Sequence, residues 1–524
     1  MRTSTFSIST VLLIVSFSLL EVQITKADTS STRVDLTNVQ GDIIIGLQKR
    51  YEAFWFCTLK SDPGSIEGFR KNLKSDLLPL ITSTQGVIDA QKVIDNSQQN
   101  QTEGESKKML PITHVNLGFT FNGLKKLGLK AEEIPTGKNG IFSKGQKADA
   151  VTNLADPLDQ ETKKLKTWSD DFSDEVNPID FVVLVTAPDS NLLNKKLDQV
   201  GKILEGHLSK SFLRQGNVRP GDQWGHEHFG FKDSISTPKI EGVNAQSEDK
   251  KAGIVEPGVI LLGQPPSDGN SSATDPNQAW LKDGSFMVFR ELQQFVPEFQ
   301  SFCDESAKNL KNSNISGDFI GARIVGRWKS GAPISLAPNE DNPDLNAAQD
   351  FDYSDEVKQE RCPYAAHVRK TNPRHGASVN GDPQRNTLPH LMIRNGIPYG
   401  PEVTGEEVDI MKTKENRGLL FVSYQSEIAN GFQFAQRVWS NNPRFPTQAA
   451  ANVSAGLDLL TGQNSDGSPR TAQNIIPLLP GGNTDPNNTL TALNPFVIPL
   501  GGEYFLMPSI KAINETLGLG SKDQ

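Results

Sequence analysis

The chain contains seven histidines, and one of them stands in a context that favours metal-centred chemistry. His367 follows two alanines and precedes a basic stretch that includes Arg369, Lys370 and Arg374. An imidazole in such a context could be the axial ligand of a haem iron, with the nearby cations balancing the haem propionates. An ordinary histidine with its ring hydrogen-bonded inside the fold is the alternative that the spacing leaves open.

The segment His226-Glu227-His228 favours a different chemistry. Two histidines at positions i and i+2 share one face of a strand and could bind a metal, with Glu227 or His114 as a further ligand. A catalytic zinc normally has three protein ligands, and no H-E-x-x-H or C-x-x-C pattern accompanies this pair. A metallohydrolase and two polar residues of an exposed strand therefore both stay open.

Composition disfavours several other classes of function. The 524 residues carry a formal net charge of −9, which disfavours binding to a nucleic-acid backbone. Hydrophobic residues make up 36% and charged residues 22% of the chain, as in globular proteins with more than one domain. No G-x-S-x-G, P-loop or convincing dinucleotide-binding fingerprint offers another catalytic anchor.

The N-terminus predicts export from the cell. Residues 1–27 combine Arg2 with an apolar run at 11–20 that is too short to span a bilayer, as in a secretory signal peptide. Residues 28–33 are a candidate short propeptide. We therefore expect a secreted, extracellular protein with no membrane association after signal removal. Its candidate N-glycosylation sites are Asn100, Asn270, Asn314, Asn452, Asn487 and Asn514.

The cysteines do not predict a disulfide framework. Cys57, Cys303 and Cys362 are an odd number, so they cannot all pair within one chain. Cys57 lies in an aromatic run that is typical of a core strand. We favour buried thiols over disulfides.

The candidate residues must be positioned by a mixture of strands and helices. Leucines and valines at helical spacing predict a helix over 190–213, and a second helix is predicted over 66–78. This mixture favours an α+β fold over a regular βαβ sheet, with a polar crossing at 238–272. The predicted strands cover 42–45, 53–57, 114–120, 180–185, 285–290, 390–393, 418–424 and 504–507.

Three segments read together resemble motifs of the dye-decolorizing (DyP-type) haem peroxidases, and of their secreted fungal class in particular. Gly230-Phe-Lys-Asp233-Ser234 resembles the family's G-x-x-D-G motif. Cys362-Pro-Tyr-Ala-Ala-His367 resembles the segment of the proximal histidine, and His390-Leu-Met-Ile-Arg394 resembles the segment of the distal arginine. The resemblance covers most of the chain in the family's order.

The resemblance implies two ferredoxin-like domains with antiparallel sheets and peripheral helices, of the dimeric α+β barrel type. The N-terminal domain, 34–255, would carry the distal aspartate motif, and the C-terminal domain, 256–524, would bind one haem b per chain. The implied activity is oxidation of dyes, phenolics and other aromatic donors by H₂O₂ through an oxyferryl intermediate. A secreted haem-binding protein with little turnover is the alternative, because Ser234 replaces the motif's final glycine.

The same resemblance assigns roles to individual residues. His367 would be the axial iron ligand, and Asp458 would accept a hydrogen bond from its ring. Asp233 would move the protons of peroxide. Arg394 would stabilise the negative charge that develops as the O–O bond breaks.

Four further residues follow from the resemblance. Leu419 and Phe421 correspond to apolar residues that shape the distal cavity. Tyr399 and Trp439 match positions at which fungal relatives use surface aromatic residues to relay electrons from bulky donors. We expect the indole of Trp439 to face outward.

Overall fold

The computed structural model describes residues 34–99, 110–245, 253–265, 276–309, 315–356, 358–374, 387–446, 454–476 and 489–518. The predicted signal peptide and propeptide lie outside these ranges, as do five of the six candidate glycosylation sites. The sixth, Asn514, is half-buried in a π-helical turn at Ile513–Leu517.

Strands and helices alternate irregularly along the described chain, and none of these helices is long and apolar enough to cross a membrane. The strands are β1 (Tyr51–Leu59), β2 (His114–Phe119), β3 (Phe181–Ala187), β4 (Leu208–Asn217), β5 (Lys239–Ile240), β6 (Ile254–Val255), β7 (Ser285–Gln294), β8 (Ile393–Arg394), β9 (Ile397–Tyr399), β10 (Gly418–Gln425), β11 (Arg470–Gln473), β12 (Thr489–Ala492) and β13 (Val497–Met507). The helices are α1 (Gly41–Ile44), α2 (Pro63–Asn72), α3 (Thr84–Gln99), α4 (Phe121–Lys126), α5 (Ile141–Asp149), α6 (Asp170–Ser173), α7 (Ser190–Leu204), α8 (Pro257–Ile260), α9 (Val296–Lys308), α10 (Gly317–Val325), α11 (His367–Thr371), α12 (Gly405–Ile410), α13 (Phe432–Phe434) and α14 (Ile510–Ala512). Further π-helical turns lie at Leu73–Leu77, Ala150–Leu154 and Ala435–Ser440, and 3₁₀ turns at Leu78–Leu80, Lys138–Gly140, Gly221–Gln223, Pro276–Leu281, Pro343–Leu345 and Leu388–His390.

One antiparallel sheet receives strands from both halves of the chain. Its order is β4-β1-β3-β2-β13-β7-β10-β8, with β9 also paired to β10. The halves meet where Leu506 of β13 pairs with Phe119 of β2. At the outer ends, Gly216 of β4 lies against Ile397 and Pro398 of β9, so the sheet curves back on itself. The α+β prediction is confirmed, and the division into domains at residue 255 stays a prediction.

Helix α7 shows how local sequence shapes this frame. Asp189 caps it by accepting a hydrogen bond from the backbone N–H of Leu192 at 2.8 Å, and its leucines and Val200 face the core. The predicted helix continued to 213, but it ends at Leu204, and Gly206 adopts a φ of +84°. Beyond it, β4 alternates between exposed and half-buried residues, which is the period of a strand.

Two other short predictions are wrong. Residues 42–45 were expected to be a strand, but Gly41–Ile44 form helix α1, which is buried throughout. Of the predicted strand 390–393 only Ile393 lies in β8, because His390 ends a 3₁₀ turn. Apolar runs this short carry too few periods to separate helix from strand.

All three cysteines are buried and none forms a disulfide, which confirms the prediction of buried thiols. Burial raises the pKa of Cys57, Cys303 and Cys362 above that of an ordinary thiol. The thiols therefore stay protonated at neutral pH.

His114, at the start of β2, makes the fold sensitive to acid. Its ring lies 3.1 Å from Gln48 Oε1 and 3.3 Å from Thr82 Oγ1, and burial lowers its pKa to about 4. In the unfolded chain a histidine has a pKa of about 6.5. Between pH 4 and pH 6.5 the unfolded chain therefore binds a proton at this position that the folded chain does not bind. Stability thus rises with pH from about 4 to about 6.5.

We expect His114→Gln to remove up to ~3 kcal/mol of this pH dependence, because glutamine does not titrate and can still form hydrogen bonds at the site. Urea unfolding at pH 7 and pH 4.5 measures the effect in the parent and the variant. Other buried groups titrate alike in both proteins, so the difference between the two isolates His114. Identical pH dependence in both proteins would contradict the assignment.

Candidate active site

A large cavity gathers most of the residues that the sequence singled out. It encloses about 1710 Å³ of space, part of it open to solvent. Asp233, Arg394, His367, Leu419 and Phe421 all line it. These residues come from a loop, two strands and a helix, so the cavity depends on the folding of both halves of the chain.

Alternate residues of β7 and β10 form one wall of this cavity. Leu419 and Phe421 of β10 face it, whereas the intervening Leu420 is fully buried. Across the sheet, Leu419 pairs with Leu292 and Phe421 pairs with Arg290, and both partners also line the cavity. Since side chains alternate along a strand, pairing in this register places all four on the same face.

His367 is the first residue of α11, and its ring forms a hydrogen bond with a buried carboxylate. His367 Nδ1 lies 2.7 Å from Asp458 Oδ2. Asp458 has no exposed surface and also accepts hydrogen bonds from the Leu460 N–H at 2.9 Å and the Thr461 hydroxyl at 2.7 Å. The carboxylate is thereby surrounded by donors, as a buried charge requires.

Electrostatics fixes the roles of the two ring nitrogens. Burial opposes charge on both partners, but the Asp458 carboxylate outweighs it and raises the pKa of His367. Burial also raises the pKa of Asp458, yet the adjacent His367 and the hydrogen bonds bring it to about 2. Asp458 is therefore ionised and Nδ1 donates to it. Nε2, which has no hydrogen-bond partner among the described residues, is the nitrogen left for a metal.

Asp233 and Arg394 form a second polar pair in the cavity. Arg394 Nη1 donates to Asp233 Oδ1 at 3.2 Å, and Nη2 donates to the carbonyl of Ser236 at 3.3 Å. β8 places Arg394 opposite Ser423 of β10. The Asp233 N–H donates to the carbonyl of Gly225 at 2.9 Å, which anchors its loop. Both side chains keep more than a quarter of their surface exposed, so small molecules can reach them.

Ser234 adopts the left-handed conformation that glycine prefers, with a φ of +60°. Its N–H donates to Asp233 Oδ1 at 2.6 Å, so the turn and the Asp233–Arg394 contact both exist with serine at this position. A side chain in this region costs about 1 kcal/mol. The serine is thus accommodated at a cost in stability.

Glu227, considered from the sequence as a possible metal ligand, lines the cavity and has a different part there. Its carboxylate accepts hydrogen bonds from the backbone of Phe229 at 2.9 Å, the backbone of Phe231 at 2.8 Å and the side chain of Gln294 at 2.5 Å. Burial raises its pKa. These bonds tie the loop that carries Asp233 to β7, so Glu227 positions that loop. Its partner Gln294 is far away in sequence, which is why no local pattern indicated it.

The cavity fits a haem. Phe229, Phe231 and Leu292 supply apolar walls for a flat ring, and His367 offers a free nitrogen to iron. Arg290 and Arg327 also line the cavity, and the Nε and Nη1 atoms of Arg290 are buried without an acceptor in the described part of the chain. Haem carries carboxylates that can accept hydrogen bonds from such groups. The sequence analysis gave neither arginine a role.

Tyr399 and Trp439 were expected at the surface, but both side chains are buried. Tyr399 is 8% exposed, and its hydroxyl donates to Asn416 Oδ1 at 3.1 Å. Trp439 is 3% exposed, because it stacks on Phe445 at 5.5 Å and packs edge-on to His390 at 5.5 Å. The expectation of an outward-facing indole is wrong.

The histidine pair at 226 and 228 does not form a metal site. His226 Nδ1 lies 3.0 Å from the carbonyl of Trp224, and His228 Nε2 lies 2.8 Å from the carbonyl of Tyr399. No group of three or more metal-binding side chains was found among the described residues. The metallohydrolase alternative therefore has no support in this part of the chain.

The fold and the cavity define a haem-binding α+β barrel enzyme. Residues 38–220 match the model of the DyP dimeric alpha+beta barrel domain, and residues 266–447 match that of the C-terminal part of the Dyp-type peroxidases. The chain belongs to the dye-decolorizing peroxidase family. It is a haem-dependent peroxidase.

Individual relatives agree with this assignment. The dye-decolorizing peroxidase msp1 of Mycetinis scorodonius is 38% identical over 94% of this chain and 89% of its own. The structure of an ancestral D-type dye-decolorizing peroxidase is 40% identical and covers 93% of this chain and 99% of its own, with a TM-score of 0.79. That of a mutant of the dye-decolorizing peroxidase from Pleurotus ostreatus is 34% identical, with coverages of 93% and 100% and a TM-score of 0.81.

We expect Ser234→Gly to stabilise the fold by about 0.5–1 kcal/mol, because glycine relieves the left-handed conformation. Ser301→Gly, inside helix α9, should instead destabilise the fold by a similar amount, because glycine is a poor helix former. Urea unfolding of both variants measures the two effects. Destabilisation by Ser234→Gly would show that the serine side chain contributes more than its backbone costs.

We expect His367→Ala to abolish stable haem binding and Asp458→Asn to weaken it about 10–100-fold, because the first removes the ligand and the second removes the acceptor that orients it. Haem titration followed by visible absorption measures both. His226→Ala, outside the cavity, serves as the control and should bind haem like the parent. Full haem occupancy in the His367→Ala protein would refute the ligand assignment.

Proposed function

We propose that the protein uses H₂O₂ to oxidise dyes, phenolics and other aromatic donors at this cavity, where His367 would bind the iron of its haem. The observation that supports this most is that the Asp458-held imidazole and the Asp233–Arg394 pair line the same cavity. When bound, haem supplies an iron that exchanges electrons with peroxide and with the donor.

Asp233 is proposed to move the protons of peroxide. Its carboxylate can accept the proton of one peroxide oxygen and return it to the departing oxygen, provided that it lies within hydrogen-bond reach of both. Arg394, which already contacts Asp233, stays cationic throughout and can stabilise the negative charge on the departing oxygen. Ser234 and Glu227 hold the loop from which Asp233 acts.

Asp458 is proposed to keep the ring of His367, the ligand of the haem iron, in a fixed orientation. A ring whose Nδ1 donates to a carboxylate is a more basic ligand through Nε2. Leu419 and Phe421 line the same cavity and would exclude water from a bound haem. A relative is known in complex with 2,6-dimethoxyphenol, which supports a small phenol as one class of donor.

Export and electron relay complete the proposal. The signal-like N-terminus and the sequons support a secreted enzyme, and N-terminal sequencing of the mature protein from culture medium would test this.

The relay roles of Tyr399 and Trp439 stay predictions. Since both rings are buried, they would carry electrons within the protein and not receive them from a bulky donor directly.

We expect Asp233→Asn to slow the reaction of the holoenzyme with H₂O₂ by about 10²–10⁴-fold, because the amide has the shape of the acid but cannot accept the proton. Arg394→Leu should slow it about 10²–10³-fold through loss of charge stabilisation. Stopped-flow absorption after mixing with peroxide measures both rates.

Asp198→Asn provides the matched control, because it makes the same change on the exposed face of α7. It should react like the parent. An Asp233→Asn protein that reacts as fast as this control would show that another group moves the protons.

A further inference from the structure

Arg394 lies in a very short strand at the end of the main sheet. Strand β8 contains only Ile393 and Arg394, which pair with Tyr424 and Ser423 of β10. Strands of globular proteins usually have about 3–10 residues, so this ladder is a weak restraint by itself. Arg394 nevertheless meets Asp233 at 3.2 Å. Contacts outside the ladder therefore contribute to the position of its backbone.

The next residue, Asn395, is bound by the first half of the chain at two points. Its carbonyl accepts a hydrogen bond from Lys49 Nζ at 2.7 Å, and its side-chain N–H donates to the carbonyl of Asp42. Its backbone N–H donates to the carbonyl of Val422 in β10 at 3.1 Å. The residue that follows Arg394 is thus fixed by three hydrogen bonds, and two of the three partners lie within residues 42–49.

Lys49 is itself held in place by a buried carboxylate. Its ammonium also donates to Glu52 Oε2 at 2.6 Å, near the start of β1. Only 12% of the Lys49 side chain is exposed, and none of the Glu52 side chain is. A charge-assisted hydrogen bond is strong and geometrically specific. The ammonium therefore lies at a fixed point between β1 and the carbonyl of Asn395.

Asp42, in the buried helix α1, provides the second contact from an equally fixed position. Its Oδ1 accepts a hydrogen bond from the Leu47 N–H at 2.9 Å, and its own N–H donates to Asn116 Oδ1 at 2.9 Å. Its Oδ2 accepts from the hydroxyl of Tyr424, which pairs with Ile393 in the ladder between β10 and β8. Helix α1 thus contacts both β10 and the residue that follows β8.

We propose that Lys49 is a positioning residue for Arg394, because its ammonium fixes the carbonyl of Asn395 and with it the backbone from which Arg394 reaches Asp233. The inference rests on the proposed function, in which Arg394 stabilises negative charge on the departing peroxide oxygen. Lys49 and Asn395 are not among the described residues that line the cavity, so their effect on the reaction passes through Arg394. A small displacement of a group that acts on the transition state is enough to slow a reaction.

A double-mutant cycle on the holoenzyme tests the proposal. Lys49→Met should slow the reaction with H₂O₂ by about 10-fold, because Arg394 is then displaced. In an Arg394→Leu protein the same substitution should slow it by less than about 2-fold, because the group that Lys49 positions is absent. A general disturbance of the fold would slow the reaction equally in both backgrounds. Stopped-flow absorption measures the four rates.

Cyanide binding to the ferric holoenzyme provides a readout that needs no turnover. Bound cyanide is an anion, and a guanidinium fixed near it strengthens binding. Lys49→Met should therefore raise the Kd of cyanide by about 10-fold in the parent background and by less than about 2-fold in the Arg394→Leu background. Titration followed by visible absorption of the haem measures these constants.

Lys126→Met provides a matched control. Lys126 Nζ also donates to a buried carboxylate, Asp180 Oδ2 at 2.5 Å, and to a carbonyl, that of Leu59 at 3.0 Å. Leu59 lies at the opposite end of β1 from Glu52. This variant should lose stability in urea to a similar extent as Lys49→Met, but it should keep the parent's reaction rate and cyanide affinity.

A Lys49→Met protein that reacts with H₂O₂ and binds cyanide like the Lys126→Met control would overturn the proposal, and so would equal losses in both backgrounds. If Lys49→Met does not fold, Lys49→Met combined with Glu52→Gln takes its place in the cycle, because this pair leaves no unpaired buried charge. Failure of the underlying function is distinguishable, because Arg394→Leu would then react like the parent. That result would overturn both proposals.

Discussion

Asp458 is a charged carboxylate with no exposed surface. The active site is organised around the hydrogen-bond donors that stabilise this buried charge. An ionised group in such a place is stable only when donors surround it. His367 is one of those donors, so the bond that stabilises the buried charge also fixes the ring that would bind the haem iron. Three residues further along α11, the buried ammonium of Lys370 donates to the carbonyls of Asn442, Phe445 and Gly456. Helix α11 is thereby tied at two points to the segments that flank Asp458.

The sheet imposes the second constraint on the site. Arg394 of β8 pairs with Ser423 of β10, which in turn pairs with Val288 of β7. The register of these three strands therefore determines where the guanidinium lies. A slip by one residue would turn Leu419 and Phe421 away from the cavity. Asp233, by contrast, comes from the loop after β4 in the first half of the chain. The reaction centre therefore exists only when both halves share one sheet.

The sequence predicted the parts of this arrangement that depend on local pattern. Long apolar runs such as 180–185 became strands, and the motif around His367 indicated its chemistry through resemblance. What could not be predicted depends on distant partners. Burial of Trp439 requires His390 and Phe445, and the position of Glu227 requires Gln294. A local pattern likewise could not foresee that Gly206 would end α7 early, because helical spacing of leucines continues beyond it.

The burial of the three thiols has a consequence for the lifetime of the catalyst. Peroxide converts a thiolate to sulfenic acid and then to irreversible acids, but it reacts poorly with a protonated thiol. Cys57, Cys303 and Cys362 are protonated and shielded from solvent, so an enzyme that consumes peroxide exposes no sulfhydryl to its own substrate. Its durability during turnover is then governed by its haem, its aromatic side chains and exposed thioethers such as that of Met411, and not by its thiols.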